Sequence, residues 1–455
     1  MNTSPIIPFI KFFNKNKIKK IAQNTGLVKR ERKLSPDTIL KVFTFGLLSI
    51  SNPSLKQITS KCKSIQADLQ ISKQAIYKRL DKISAFLKEI FSLSMQFSLK
   101  GSITAETSQI LCQFKDVKIY DSTRISLPDK LSELWPGLGG HNAKSSLKIQ
   151  TAYSLLSKNI TKMELTKSPG TDTSYNKQII KQTNENELII TDLGYFNKDF
   201  FTSLEDKGAY FLSKVRKNAV IGIQKEGDNQ LKRKQFLKLL KGKQIIDTQV
   251  FIGGNNAEKL ECRLVAVRLP EEVVNKKRRE ANKKAKSKGK QLSKYEAELL
   301  AWHIVITNVP VNMISAEALC DLYRARWQIE LIFKACKSYL NIDKVGNCGR
   351  YQLECLIYGR LIAILMIFRV YNHYYLEMYS NYNRGISILL FIKLLSDEST
   401  KITENLILTI PNIKGLILLF ERIAKDSLYE KRKRKTTLDR LMEYTIPLTN
   451  CQNSA

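Results

Sequence analysis

YRARWQIELIFKACK, residues 323–337, is the stretch on which the fold and chemistry of this chain turn. With its surroundings, 316–340, it has the spacing of one long helix. At about 100° per residue, Tyr323, Arg326, Glu330 and Lys337 share one narrow stripe, and Lys334 falls beside it. Leu322, Ile329, Ile332, Phe333, Cys336 and Leu340 fall on the other side, and Trp327 is taken as a packing residue. One face therefore packs on a core, and the opposite face presents a carboxylate flanked by cations and a phenol. An ordinary surface face with Arg/Glu/Lys pairs, each contributing only ~0.2–0.5 kcal/mol, is the plain alternative.

Working outward, two aspartates follow short runs of the buried-strand kind. Residues 117–120 (VKIY) lead into Asp121, and ELIIT, residues 187–191, leads into Asp192-Leu193-Gly194. A carboxylate at a strand end stands on a rigid element beside a crevice, where oxygens can grip a divalent ion. Taken singly, each aspartate reads equally as the start of a turn. Together with Glu330 they supply three carboxylates. That is about what two Mg²⁺ ions need to activate a water or a 3′-hydroxyl and to stabilise the leaving oxygen in phosphoryl transfer. Arg and Lys beside the third acid suit flanking phosphates.

The rest of the chain frames these pieces. Residues 147–156 and 160–165 form a hairpin pattern about Ser157-Lys158-Asn159, and 209–215 is a further strand, so the centre reads as a mixed α/β sheet. Residues 218–269 are strand-rich and look like a β insertion. NKKRREANKKAKSKGKQLSKYEAELL (275–300) is strongly basic and turns helical; such a run is usually solvated and mobile, and it also suits tracking phosphates. Residues 302–309 are one more strand. Residues 351–378 form an apolar helix, and helical pattern continues to about 442, with a basic patch at 431–435. In front, 1–33 reads as a basic arm and 35–99 as helical, opened by Ser35 as N-cap with Pro36 behind it. ISKQAIYKRLDKI (71–83) places Lys73, Tyr77, Lys78 and Arg79 on a helix after a plausible Ser72 cap. This suits the reading helix of a helix-turn-helix, and equally a helical bundle with a solvated basic face.

Composition narrows the partners. The 455 residues suggest two to four domains, and 43% hydrophobic content can bury a real core. A formal charge of +33 points to a polyanion, because nucleic acid rewards Lys and Arg through counterion release. A membrane is disfavoured: no apolar run reaches the ~18 residues a span needs, and the best, 361–368, lies between Arg360 and Arg369. MNTSPIIPFIKFFNKNKIKK lacks the pattern of a signal peptide, since Lys11 breaks its apolar part. Eight cysteines without a CxxC pair argue against a zinc ribbon and a disulfide framework. With only His141, His303 and His373, chemistry that needs a histidine cluster is disfavoured, His141 is read as structural or surface, and carboxylates become the expected metal donors.

Tyr323-x2-Arg326-x3-Glu330-x6-Lys337 resembles the YREK signature of the IS4-family DDE transposases, the Tn5- and Tn10-like enzymes. The Asp121 segment with Leu127-Pro128, the Asp192-Leu193-Gly194-Tyr195-Phe196 segment and the strand AWHIVITNVP resemble the same family over about 115–345. The resemblance implies an α/β fold: an RNase H-like mixed-sheet catalytic core with an inserted β-rich domain, flanked by N- and C-terminal α-helical regions. It implies five stretches. These are a helical DNA-binding region with its basic arm (1–105), a first core part (106–217), the β-rich insertion with its basic loop (218–300), a second core part (301–345) and a C-terminal helical region (346–455). Asp121, Asp192 and Glu330 would be the catalytic metal ligands for two Mg²⁺ or Mn²⁺ ions. Tyr323, Arg326 and Lys337, with Lys334 as a weaker candidate, would contact DNA near the element's end. Trp302 would stack on a flipped base, with burial in the core as its alternative. The implied partners are double-stranded DNA, as terminal inverted repeats and target, and a second copy in a homodimer, in the bacterial cytoplasm at the nucleoid. A nuclease of the same fold that does not join ends, or an inactive DNA-binding relative, are the alternatives.

Overall fold

The computed structural model describes residues 12, 14–28, 34–99, 108–139, 143–216, 219–222, 233–253, 259–407, 412–430 and 437–444. His141 and the basic patch at 431–435 lie outside them. Among the described residues the strands are β1 (Asp116–Leu127), β2 (Ser145–Ser154), β3 (Asn159–Lys167), β4 (Glu187–Thr191), β5 (Tyr210–Lys214), β6 (Ile221–Gly222), β7 (Ile245–Ile252), β8 (Leu260–Arg268) and β9 (Trp302–Thr307). They form one mixed sheet in the order β3-β2-β1-β4-β5-β9-β8-β7-β6. β1, β4 and β5 are parallel neighbours, whereas β2/β3 and all pairs from β5 to β6 are antiparallel. β9, from the stretch assigned to the second core part, pairs with β5, and the strands of the insertion, β8, β7 and β6, extend the sheet beyond β9.

The chain divides into two compact units. The second consists of Glu106–Asp121, Thr171–Trp327 and Arg434–Ala455. β4 is buried throughout, as a parallel strand covered on both faces must be. Its one charge, Glu187, is met by Lys118 Nζ on β1 at 2.6 Å, which offsets the cost of burying a lone carboxylate. On β8, Arg263 is 3% exposed. It grips Asp247 on β7 with two nitrogens, Nε at 2.7 Å and Nη2 at 2.5 Å, and its Nη1 donates to the carbonyls of Val309, Pro310 and Ile314. One buried guanidinium thus ties the insertion to the loop that leads from β9 into the helix bearing Tyr323. The lysine-rich run, expected to turn helical, holds the helix Glu271–Lys286. Arg278 anchors it by donating to Ala297 O at 3.1 Å.

The first unit, Met1–Ala105, Ser122–Gly170 and Gln328–Lys433, holds the β2/β3 hairpin and most of the helices. The apolar helix expected near 351 runs from Arg350 to Tyr382. At Gly359 it approaches the chain so closely that a Cβ would stand 2.3 Å from Phe43 O. Arg360, 1% exposed, survives burial by donating to the carbonyls of Lys344 and Ile50, and burial lowers its pKa to about 10. No helix among the described residues is long and apolar enough to cross a membrane. Two expectations change here. Part of the supposed basic arm is a helix, Lys15–Asn24, that buries Ile18, Ile21 and Ala22. The candidate reading helix is only Lys73–Tyr77; Lys78 and Arg79 lie in the turn before the next helix, Leu80–Leu99. Ser72 caps it as expected, accepting from Ala75 N.

Candidate active site

The two aspartates are brought together by strand register. β1 and β4 pair in parallel from Asp116↔Glu187 to Tyr120↔Thr191. Asp121 and Asp192 are each one residue beyond that last pair, on neighbouring strands about 4.8 Å apart. Tyr120 and Thr191 are buried, and alternation turns the next side chains to the half-buried level. Asp121 is not a strand end, however: β1 continues to Leu127, so the carboxylate sits where pairing with β4 stops. Asp192 does end its strand. Its Oδ1 accepts from Gly194 N at 2.7 Å and so folds the loop over its own carboxylate. Gly194 has no room for a side chain, because a Cβ would stand 2.7 Å from Asp172 Oδ2 and 3.0 Å from Asp192 Oδ1. Gly194→Ala is expected to push the Asp192 carboxylate aside and slow strand cleavage about 100-fold, read in a cleavage assay beside an unchanged thermal midpoint.

Arg326 and Tyr323 complete this cluster within the second unit. Arg326 Nη1 lies 3.2 Å from Asp121 Oδ2 and hydrogen-bonds the Tyr323 hydroxyl. Tyr323 is 4% exposed, so its phenol supports the site from within. Burial pushes its pKa well above the ordinary range; Arg326 opposes the rise, and Asp192 and Asp121 reinforce it. The phenol therefore stays protonated. His303 meets the Tyr323 ring edge-on at 5.7 Å, and Lys214 Nζ lies 5.5 Å from the centre of that ring. Burial, aided by Arg324, Lys214 and Lys277, pushes the imidazole down to about 3, so it is neutral.

The single long helix is not formed, and the narrow stripe is corrected with it. The Tyr323 helix ends at Arg324, Ala325 and Arg326 make a turn in which Arg326 N donates to Tyr323 O, and a new helix runs Trp327–Ser338. Glu330 stands in the first turn of this second helix, half-buried. Lys334 is exposed, and Lys337 Nζ donates to Arg124 O at 3.1 Å. Glu330, Lys334 and Lys337 belong to the first unit, whereas Tyr323 and Arg326 belong to the second. Of the two tryptophans, Trp302 takes the buried place that was its alternative, and Trp327 departs from its expected packing. Trp302, on β9, is 7% exposed, and Trp327, expected to pack, is 56% exposed.

Residues 113–366 match the family described as Transposase DDE domain. The chain belongs to the DDE transposase family. The transposase of insertion element IS231B from Bacillus thuringiensis subsp. berliner is 27% identical over 440 residues, covering 93% of this chain and 91% of that protein. The IS1151 transposase of Clostridium perfringens is 31% identical over 370 residues, covering 78% and 77%. The IS421 transposase of Escherichia coli is 26% identical over 356 residues, covering 76% and 88%. These are IS4-family elements, the family that the sequence resembles.

DDE transposases depend on a divalent metal, and the donor chemistry here fits one: Asp121 and Asp192 offer hard oxygen ligands at one level of the sheet. Among the described residues no group of three or more His, Cys, Asp or Glu is arranged to hold a metal ion. Three neighbours of the candidate site went unnoticed in the sequence. Asp172 faces Asp192 across Gly194, while Lys214 and His303 surround the Tyr323 ring. Asp172 lies in a polar loop twenty residues before Asp192, and no spacing rule links them.

Proposed function

We propose that this DDE transposase moves an insertion sequence by cut-and-paste. It binds the terminal inverted repeats as a homodimer, cleaves a strand at each end to leave a 3′-hydroxyl, and joins that hydroxyl to target DNA. The observation that carries this reading is the pair Asp121/Asp192, each one residue past the registered Tyr120–Thr191 pair. The contact of Asp121 with Arg326 adds to it.

Asp121, Asp192 and Glu330 act as the catalytic ligands of two Mg²⁺ or Mn²⁺ ions; for Glu330 the support is its spacing from Tyr323 and Arg326. When bound, the metal pair supplies the activation of the attacking oxygen and the stabilisation of the leaving one. The chain's own share is preorganisation. Arg326 steers the Asp121 carboxylate and the Gly194 N–H steers that of Asp192, so neither has to turn when the scissile phosphate arrives. Tyr323 fixes Arg326, and Lys334 and Lys337 take phosphates of the flanking strand. Trp302 stacks on a displaced base that reaches it through the cavity it lines. Residues 1–105 read the inverted repeat, with Lys73, Gln74 and Tyr77 exposed on the short helix. The helices from about 351 pair the two copies, and the protein works at the nucleoid in the bacterial cytoplasm.

The test is incubation with DNA carrying the element's two ends plus Mg²⁺, and separately with a labelled, pre-cut end. Paired cuts and a joined product are expected. Cuts without joining would make the protein a nuclease, and binding without cuts a non-catalytic relative. Glu330→Gln is expected to lose nicking and keep DNA binding; unchanged nicking would remove Glu330 from the acid set.

A further inference from the structure

Within the second unit a cavity of about 250 Å³ opens beside the loop that follows Asp192. Leu193 forms part of its wall; Trp302, Leu299 and Ile304 line it; and Lys214, Arg216 and Lys277 bring positive charge to it. Each cation comes from a different structural reason. Lys214 ends β5 and leans over the Tyr323 ring. Arg216 spans the Asp192 loop, donating to Leu193 O at 3.4 Å with its guanidinium 5.5 Å from the Phe196 ring centre. Lys277 comes from the lysine-rich helix Glu271–Lys286.

Lys277 is the informative one. Its neighbours Lys276, Arg279, Lys283, Lys284 and Lys286 are exposed, as a solvated charge run should be. Lys277 lies instead on the inward face with Val274, Arg278 and Ala281, and it is half-buried. Lys214 and Arg324 are near enough to disfavour its charge. Burial, then those two charges, lower its pKa. Glu296, at the cavity wall, accepts from Ser293 N and Oγ. Turning a lysine inward toward other cations is unfavourable in the isolated protein and becomes favourable when an anion arrives.

We propose that Lys277, together with Lys214 and Arg216, holds one phosphodiester of the bound DNA strand at this cavity, next to the Asp192 loop. Lys277 is thus a positioning residue, and the lysine-rich helix contributes through its one inward lysine rather than only through its solvated face. The proposal rests on the reading of the protein as a DNA transposase.

The experiment is a methylphosphonate scan. Duplexes from the element's end, each with one neutralised phosphate, are bound without metal to the full chain and to its Lys277→Gln and Lys277→Arg variants. In the wild type, one phosphate position should weaken binding about tenfold. In Lys277→Gln that position should no longer matter, and the slope of log K against log salt should fall by about 0.9. Lys277→Arg should restore the wild-type pattern. Lys214→Gln is a second probe of the same position should Lys277→Gln fail to fold. If every position weakens Lys277→Gln as it does the wild type, the proposal fails while the transposase reading stands. If the wild type does not bind end DNA at all, that reading fails and takes this proposal with it. Competition by inorganic phosphate without any position dependence would mark an adventitious anion site only, and would also overturn the proposal.

Discussion

Asp121→Asn should lower strand cleavage by at least about 10³-fold while end-DNA affinity stays within about threefold. Asparagine keeps the shape of aspartate and can still accept from Arg326, so the fold around β1 has no reason to change. What disappears is the charge, and a neutral amide oxygen is a far poorer donor to a hard divalent ion than a carboxylate. DNA affinity should hold or rise slightly, because removing a negative charge near a polyanion relieves repulsion. Cleavage of end DNA with Mg²⁺, measured beside anisotropy with the same duplex, separates the two effects. Cleavage within about tenfold of wild type would show that Asp121 is no ligand and that its partnership with Arg326 is structural.

Arg263→Met should destabilise the second unit by about 3–5 kcal/mol. The loss comes from what stays behind. Asp247 keeps its charge with a side chain only 25% exposed, and the carbonyls of Val309, Pro310 and Ile314 lose a donor. A fall in melting temperature on the order of 10 °C follows, measurable by calorimetry. The double change Arg263→Met with Asp247→Leu should recover part of it, since replacing both members of a buried pair costs less than orphaning one. Arg268→Gln, which breaks only the exposed pair with Glu271, should shift stability by less than about 1 kcal/mol. If Arg263→Met behaves like Arg268→Gln, the guanidinium is not what fastens the β9-to-Tyr323 loop.

Much of this architecture was legible because short apolar runs bounded by polar turns are strong signals. β4 and the β2/β3 hairpin lie within a residue or two of where the pattern puts them, and Asp121 and Asp192 follow from the same runs. The continuation of β1 past Asp121 was hidden by its polar residues. Yet Thr123, Ile125 and Leu127 are buried and Arg124 and Ser126 exposed, which is the alternation of a half-covered strand. The helix break at Ala325–Arg326 had no local sign, because Ala and Arg are good helix formers. Tertiary contacts override propensity there: Arg326 is claimed by Asp121 and the Tyr323 hydroxyl. The helical turn of the lysine-rich run agrees with its helix, Glu271–Lys286. Its solvated face follows from its net charge, while the face with Val274, Arg278 and Ala281 was hidden among the charges.

The interruption between Arg324 and Trp327 has a consequence for how such a motif can vary. An uninterrupted rod would couple every member, so inserting one residue would swing all later side chains by about 100° relative to the earlier ones. With a turn at Ala325–Arg326, helical continuity does not carry the angle from Tyr323 to Glu330, and Arg326 takes its place from the contact with Asp121. The four-letter signature is therefore carried by two helical segments rather than one rod, and its spacing is not a helical register across the turn.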